Sequence, residues 1–457
     1  MSFKKGNNMS STSAPYSVCA SAACVLLFSH PSIGCAADSN ASPWMGGDWG
    51  GVRNDLHERG LDFDLNYRSD SAFNAHGGFN KDKKLAYADQ YMVSASADLD
   101  KLFALPSLKF VVTFIDRNGQ ELAKERLTDP RSGSLTQTQN VYGRGSVTRL
   151  SQLYLERSLG KPKSFFRMGR FGPEDFGQFD CDFQNLIFCG NSGGNWHGDD
   201  WYNFPIGQWA AAVKYQLLDE LALQAGIFEQ NPTLLENDNA FKMSMSGSDG
   251  ALIPVEAIWT PKSALFGFPA ELRVGAFYNT TDADDLRYNG DGQEHALEPD
   301  ARYRSHRGRK GWWYVARQTV GYVAEDPNRK IEVFSEGFWN DRETGFVARH
   351  YNIGLIINGP LSSRPNDALG VAVGGLSVAS NVTERQRHIN MYNHLTDYND
   401  PRYTPIQSDE YSSEIYYGVK VTNWLTVRPN LQYIVHPGAV EKVDNAFLLG
   451  LMIRASF

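Results

Sequence analysis

From Leu61 to the C-terminus the chain returns repeatedly to alternation of apolar and polar residues. In the first such run Leu61, Phe63, Leu65 and Tyr67 share one face, while Asp62, Asp64, Asn66, Arg68 and Asp70 share the other. Period two means an extended strand with two unlike faces. A soluble sheet wetted on one side gives the same pattern, so one run decides nothing. Repetition decides it. Strands are read near 61–71, 86–100, 107–118, 147–158, 164–171, 208–217, 221–230 and 252–260. Eight more follow near 269–280, 311–323, 330–340, 348–359, 367–379, 409–421, 425–436 and 446–457, which makes sixteen. Connections after odd-numbered strands are mostly long, as at 119–146, 172–207, 281–310 and 380–408. Those after even-numbered strands are short, as at 101–106, 160–163, 218–220 and 422–424. An even strand count with loops sorted by length between two ends is the pattern of a bacterial outer-membrane barrel. Closing the sheet satisfies every backbone group in lipid and removes its edges. The expected fold is therefore all-β: a 16-stranded antiparallel transmembrane β-barrel with long extracellular loops and short periplasmic turns.

The first residues fit that destination. Lys4 and Lys5 precede an apolar run, Ala20 to Phe28, and small residues end near Cys35-Ala36-Ala37. This is the layout of a secretory signal peptide, and its apolar core is too short to span a bilayer. A lipoprotein reading at Ser32-Ile33-Gly34-Cys35 lacks the usual leucine. Residues 1–37 are expected to be the signal peptide, 38–60 an N-terminal periplasmic segment, and 61–457 the barrel. Within the periplasmic segment a short helix is expected over 54–59, stopped by Gly60. Loss of the signal takes the formal net charge from -8 to about -10, because it carries two lysines and no acids. Nucleic acid is not an expected partner. About twenty residues separate the expected cleavage point from the first strand, too few for the plug domain of an energised transporter.

Cleavage would leave only Cys181 and Cys189, in a long segment rich in glycine, aromatics and acids. An exported compartment is oxidising, so a disulfide is expected; two free thiols are the plain alternative, and a metal site needs more ligands. Loops this long are usually functional or disordered, and a covalent staple argues for the former. Segment 172–207 follows the fifth strand and so forms the third outer loop, expected to fold inward and narrow a channel. The alternative is an external lid held by the disulfide. Arg117, Arg167 and Arg170 are the candidate wall cations, and Glu174, Asp175, Asp180 and Asp182 the loop acids facing them. Sugars suit such a mixture, because hydroxyls both donate and accept while rings cover their apolar faces. Phe183, Trp196 and Trp201 are the candidate rings. Asp282, Asp284, Asn289, Asp291 and Glu294 do not match a calcium loop in spacing, and a solvated acidic loop is expected there. No cofactor or catalytic group is expected, since no serine, histidine and orienting acid are brought together by any motif.

Two blocks carry a resemblance. One is Gly47-Asp48-Trp49-Gly50-Gly51-Val52-Arg53, with Leu56 and Gly60. The other runs from Glu414-Ile415-Tyr416-Tyr417 through Thr422-Asn423-Trp424-Leu425 to Arg428-Pro429-Asn430-Leu431-Gln432-Tyr433-Ile434-Val435-His436-Pro437-Gly438. With the cysteine segment and the last strand, they resemble the OprB-type carbohydrate-selective porins from about Trp44 to Phe457. Ala439 departs from the family, which often has a second glycine there, and Pro429 suggests a bulge. The resemblance implies passive, selective diffusion of glucose-like sugars, alongside ions, across a Gram-negative outer membrane. A porin for small organic acids and a purely structural barrel are the rival readings. The terminal Phe457 on an alternating strand fits recognition by the barrel-assembly machinery. A homo-oligomer is compatible with the sequence, since apolar residues facing lipid and facing a second copy look alike.

Overall fold

The computed structural model describes residues 42–191 and 201–457. The expected signal peptide and Trp196 lie outside the described residues. Alternation becomes sixteen strands: β1 Leu61–His76, β2 Leu85–Asp98, β3 Leu108–Gly119, β4 Thr148–Ser158, β5 Phe165–Phe171, β6 Gln208–Leu218, β7 Leu221–Gln230 and β8 Gly250–Trp259. The second half comprises β9 Ala270–Asn289, β10 Tyr303–Tyr322, β11 Lys330–Asn340, β12 Val347–Asn358, β13 Ala368–Val378, β14 Asp409–Lys420, β15 Leu425–Val435 and β16 Ala446–Ser456. Each pairs antiparallel with its neighbours in sequence, and β1 closes on β16. At that seam Asn66 stands opposite Ser456, Arg68 opposite Arg454, and Phe73 opposite Leu449.

The two faces follow the pleat. In β16 Leu449 is 43 % exposed and faces lipid, while Leu448 beside it is fully buried inside. Val213 and Val274 likewise turn outward, so Lys214 and Arg273, each next in its strand, turn into the lumen. Trp259 lies at the short-turn end of β8, and Trp312 stacks on Trp339 across β10 and β11 at 4.2 Å. Such rings suit the interfacial levels of a bilayer.

Three local expectations are corrected. Segment 281–310 is largely a hairpin rather than an irregular loop: β9 and β10 run on past the wall, with Asp282 paired against Arg307, while Asp282, Asp284 and Asp291 are exposed as expected. Two further acids are held by neighbours, Asp285 at 2.8 Å from His306 and Glu294 at 2.5 Å from Arg287. No bulge forms at Pro429. Its register with β16 is continuous, and on the other side the ladder to β14 drops the pairs of Tyr417 and Gly418 without a shift. Proline has no N–H to offer, so bonds are lost there while the count is kept. The outer segment after β13 also contains a helix, Ser380–Tyr392.

The short N-terminal helix spans Val52–Glu58 and ends at Gly60, whose φ of 90° suits glycine. Arg53 lies between the rings of Trp44 and Trp49 and donates to the backbone carbonyls of Phe457 and Phe63. The first resemblance block therefore fastens the two chain ends at the seam.

Candidate functional site

The described parts of the third outer loop, 172–191 and 201–207, enter the lumen and are fastened to the wall at successive points. Gln178–Phe179 and Gly190–Asn191 form a small antiparallel ladder, and the Cys181–Cys189 disulfide closes it. At the loop root Glu256 of β8 accepts from the Gly177 N–H at 2.8 Å and from Trp313 Nε1 at 2.9 Å. Gly177 has a φ of 65°, and a Cβ there would press to 3.1 Å from the Trp313 ring, so both backbone and space call for glycine.

At the loop tip the second resemblance block acts as a dock. Arg428 reaches Asp182 at 2.7 Å and also donates to its carbonyl. The two Glu414 oxygens accept from the backbone N–H groups of Gln184 and Asn185, each at 2.8 Å. Asn430 donates to the Gln184 side chain at 2.8 Å, and the Asn185 side chain donates to Gln432 at 3.2 Å. Asn352 donates to the Ile187 carbonyl at 2.7 Å. Buried backbone polar groups must find partners, and here side chains of the lumen wall supply them.

Apolar packing completes the dock. Phe179 lies 4.6 Å from Phe334, Phe183 lies 4.9 Å from Tyr416, and Trp201 lies 5.5 Å from Trp313. Phe183 and Trp201 are fully buried. Expected as rings for sugar faces, they are anchors instead. A large ring gains more free energy from leaving water than from lining a wet passage.

The loop thus packs chiefly on β7 to β15; open space remains along β1 to β4 and β16, and beneath the loop tip along β12 to β15. Three cavities follow one another there. The outer one, about 560 Å³, is lined by Arg117, Asn140, Glu174 and Gln178 among others. The middle one is the smallest, about 280 Å³, between Asn66, Arg68 and Gln90 of the wall and Gln178, Asp180 and Asp182 of the loop. The inner one, about 710 Å³, lies toward the short turns and includes Lys420, Arg428 and Arg454. Asn140 and Gln178 line both the outer and middle cavities, and Asp182 and Arg454 both the middle and inner ones. The smallest of the three lies where the loop faces the barrel seam.

Against this geometry the expected residues divide. Arg167 meets the loop acid Asp175 at 2.8 Å and the wall acid Glu156 at 2.8 Å, and lies over Tyr154. Arg117 lines the outer cavity, with Nε on Gln90 at 2.8 Å and Nη1 on the Gly143 carbonyl at 3.0 Å. Arg170 meets no acid of the third loop among the described residues. It is buried, and its guanidinium donates to the carbonyls of Leu150 and Lys242, which fixes the fourth outer loop. Asp180 faces the middle cavity and accepts from Gln178 at 2.5 Å. Asp182 pairs with Arg428 rather than with the three expected arginines. Two carboxyls of the loop, which lies outside the spanning strands, are shifted in opposite directions. Burial pushes Glu174 up to about 7, whereas at Asp182 the Arg428 guanidinium outweighs burial and holds the group below the usual range.

Glu256, Glu414, Arg428 and the seam pair Arg68 and Arg454 were not singled out as site residues from sequence. The alternation had placed Arg68 and Arg454 on the inner face, and Glu414 and Arg428 lay within the resemblance block. What was missing was the third loop's line of contact across the lumen.

A closed sixteen-stranded barrel, open along one side of an inward loop and lined there by charges and amides, is a diffusion channel of the porin class. The model of the carbohydrate-selective porins, OprB family, matches residues 82–457. The chain belongs to that family. Porin B of Pseudomonas aeruginosa is 44 % identical over 422 residues, covering 92 % of this chain and 93 % of that protein. The high-pH structure of Pseudomonas putida OprB superposes with a TM-score of 0.89 at 42 % identity, covering 91 % of this chain and 99 % of that one. The protein is thus an outer-membrane channel of a Gram-negative cell, a sugar porin at the level of its family and not an enzyme.

Proposed function

We propose that the channel selects glucose-like monosaccharides at its middle cavity, and that residues 1–37 are removed on export to leave 38–60 in the periplasm. The observation that carries the sugar reading is the lining of this smallest cavity. Arg68 is held by Asp70 at 3.1 Å, Gln178 donates to Asp180, and Asn66, Gln90 and Asn140 add neutral amides. Arg454 and Asp180 add one charge of each sign, so the lining keeps directional hydrogen bonds with little net charge and suits a neutral, hydroxyl-rich solute better than an ion. Passage requires binding weak enough to release. Arg117 is assigned to the approach from outside. Arg167 and Asp175 fix the loop root that sets the width, and Arg170 holds the outer rim. Glu174 borders the approach. Phe457 is assigned to recognition by the assembly machinery, and its carbonyl is already engaged by Arg53 in the folded barrel.

The test is the current through single channels in planar bilayers with and without glucose. Glucose should interrupt the ion current reversibly, and Arg68→Gln should raise the half-blocking concentration about ten-fold, the equivalent of about 1.4 kcal/mol. Absence of any block by glucose in the wild type, with liposome swelling that follows solute size alone, would refute the reading.

A further inference from the structure

The arginines of the lumen are nearly all neutralised by neighbours. Arg68 has Asp70, Arg167 has Glu156 and Asp175, Arg273 has Glu271 and Glu256, Arg317 has Glu332, and Arg428 has Asp182. Two cations differ. Neither the Arg454 guanidinium nor the Lys420 ammonium has a side-chain partner among the described residues, and both line the inner cavity. The acids of that cavity cannot serve them: Asp182 is taken by Arg428, and Asp367 is held by Arg364 at 2.9 Å. The inner cavity therefore carries an uncompensated positive charge in a space of about 710 Å³, large enough for a six-carbon solute.

We infer that this inner cavity is a second solute site, which takes the carboxylate of a sugar acid between Arg454 and Lys420. Uncompensated charge inside low-dielectric walls draws an anion more strongly than the same charge in open water. Arg454 also faces the middle cavity, so an anionic sugar leaving that cavity meets the first cation before it has left the amides that hold its hydroxyls. Thr426 and Asn366 line the inner cavity and offer the hydroxyls new partners. Handing a solute between adjacent weak sites is how a channel combines affinity with exit. A simple anion would use only the charge, whereas a sugar acid uses both sets of groups. The inference rests on the channel reading above and extends it from neutral sugars to their acids.

The experiment uses the full-length protein in planar bilayers at fixed ionic strength, with glucuronate, glucose and acetate as probes. Glucuronate should block at a concentration about ten-fold below that of glucose, and acetate should not block. Lys420→Gln and Arg454→Gln should each raise the glucuronate value about ten-fold, while in Lys420→Gln the glucose value should stay within about two-fold. Lys420→Arg should keep the glucuronate block, which separates loss of charge from loss of fold. Block by acetate equal to that by glucuronate would overturn the proposal, since it would show attraction of any anion. So would block by glucuronate no stronger than by glucose, or glucuronate values unchanged in both glutamine variants. Glucose block without preference for glucuronate would sink this inference and leave the sugar reading intact.

Discussion

Arg167 illustrates how a single residue here sets both charge and shape. Its guanidinium is shared between Glu156 of the wall and Asp175 of the loop, and three rings, Tyr154, Phe165 and Phe171, lie within about 5 Å of it. Arg167→Ala would leave two carboxylates without a counter-charge beside the passage. The expected outcome is a reversal potential shifted toward cation preference. Glucose block should weaken at the same time by about ten-fold or more, because charge-assisted bonds worth roughly 1.5–3 kcal/mol no longer fix the loop root. If potential and block both match the wild type, Arg167 only packs the wall. Glu414 acts on shape alone. Glu414→Gln replaces one of the two acceptors at the Gln184 and Asn185 N–H groups by a donor, leaving a buried backbone group unsatisfied at a cost of about 1–3 kcal/mol. Open-channel current noise should rise, with sugar affinity little changed in the quiet state.

Individual loops obey the same logic, and they also mark where sequence reading stops. Strands were legible because their signal is local: each run of alternation states its own two faces, and the loops sort themselves by length. The fate of a loop ring was not, because it depends on partners far along the chain. Phe183 is buried by Tyr416 and Trp201 by Trp313, and nothing within 172–207 announces either contact. The charge of Asp182 was legible, but its partner Arg428 was not. Since wall side chains hold the loop from Gly177 to Ile187, the disulfide is one fastening among several. Its short closed loop is worth roughly 2–3 kcal/mol in the chain-entropy account. Cys181→Ser with Cys189→Ser should therefore assemble and still block with glucose, a result readable by heat-dependent gel mobility and single-channel recording; failure to assemble would give the disulfide a larger part. Outside, the second and seventh loops are joined by an acid-sensitive clamp. Asp129 accepts from Arg131 at 2.7 Å and from Tyr398 at 2.6 Å, and Arg131 also donates to the carbonyls of Tyr398, Asp400 and Tyr403. Burial alone would raise the Asp129 carboxyl, but these bonds outweigh it and hold it below its usual range. A depressed carboxyl contributes stability above its unfolded value, about 3.9, and loses it as pH falls through the folded one. A nitroxide at Asn399→Cys should stay immobile from neutral pH down to about 4 and loosen below it, whereas with Asp129→Asn it should be loose throughout.

For the molecule as a whole, the decisive property is that one alternation is carried round a closed sheet, interrupted only locally at irregularities such as Asn74/His76 and Thr113/Phe114. A slip of one residue in any strand would exchange its entire lumen set for its lipid set, and in a barrel there is no edge at which such a slip could be absorbed. The seam is the critical place, since β1 and β16 are farthest apart in sequence yet must agree in register. There Arg68 stands opposite Arg454 and both face water, while Leu449 and Leu451 across from Phe73 and Ser71 face the bilayer. Burying either arginine in hydrocarbon would cost about 2–4 kcal/mol at the midplane, so the register is pinned by penalty as much as by gain. The pattern can be read chemically over the whole wall. Single cysteines at Asp64, Arg68, Lys214, Arg273, Glu332 and Arg454 should react with a membrane-impermeant thiol reagent in purified channels reconstituted in lipid. Cysteines at Leu65, Val213 and Val274 should not, although each neighbours a reactive position or lies two residues from one. Because Cys181 and Cys189 are joined, the wild type should give no background. Labelling confined to the first group would establish the facing of every strand tested. Labelling of Leu65 with protection of Asp64 and Arg68 would instead mean that β1 enters the seam one residue out of register, and the arrangement of the middle cavity would fall with it.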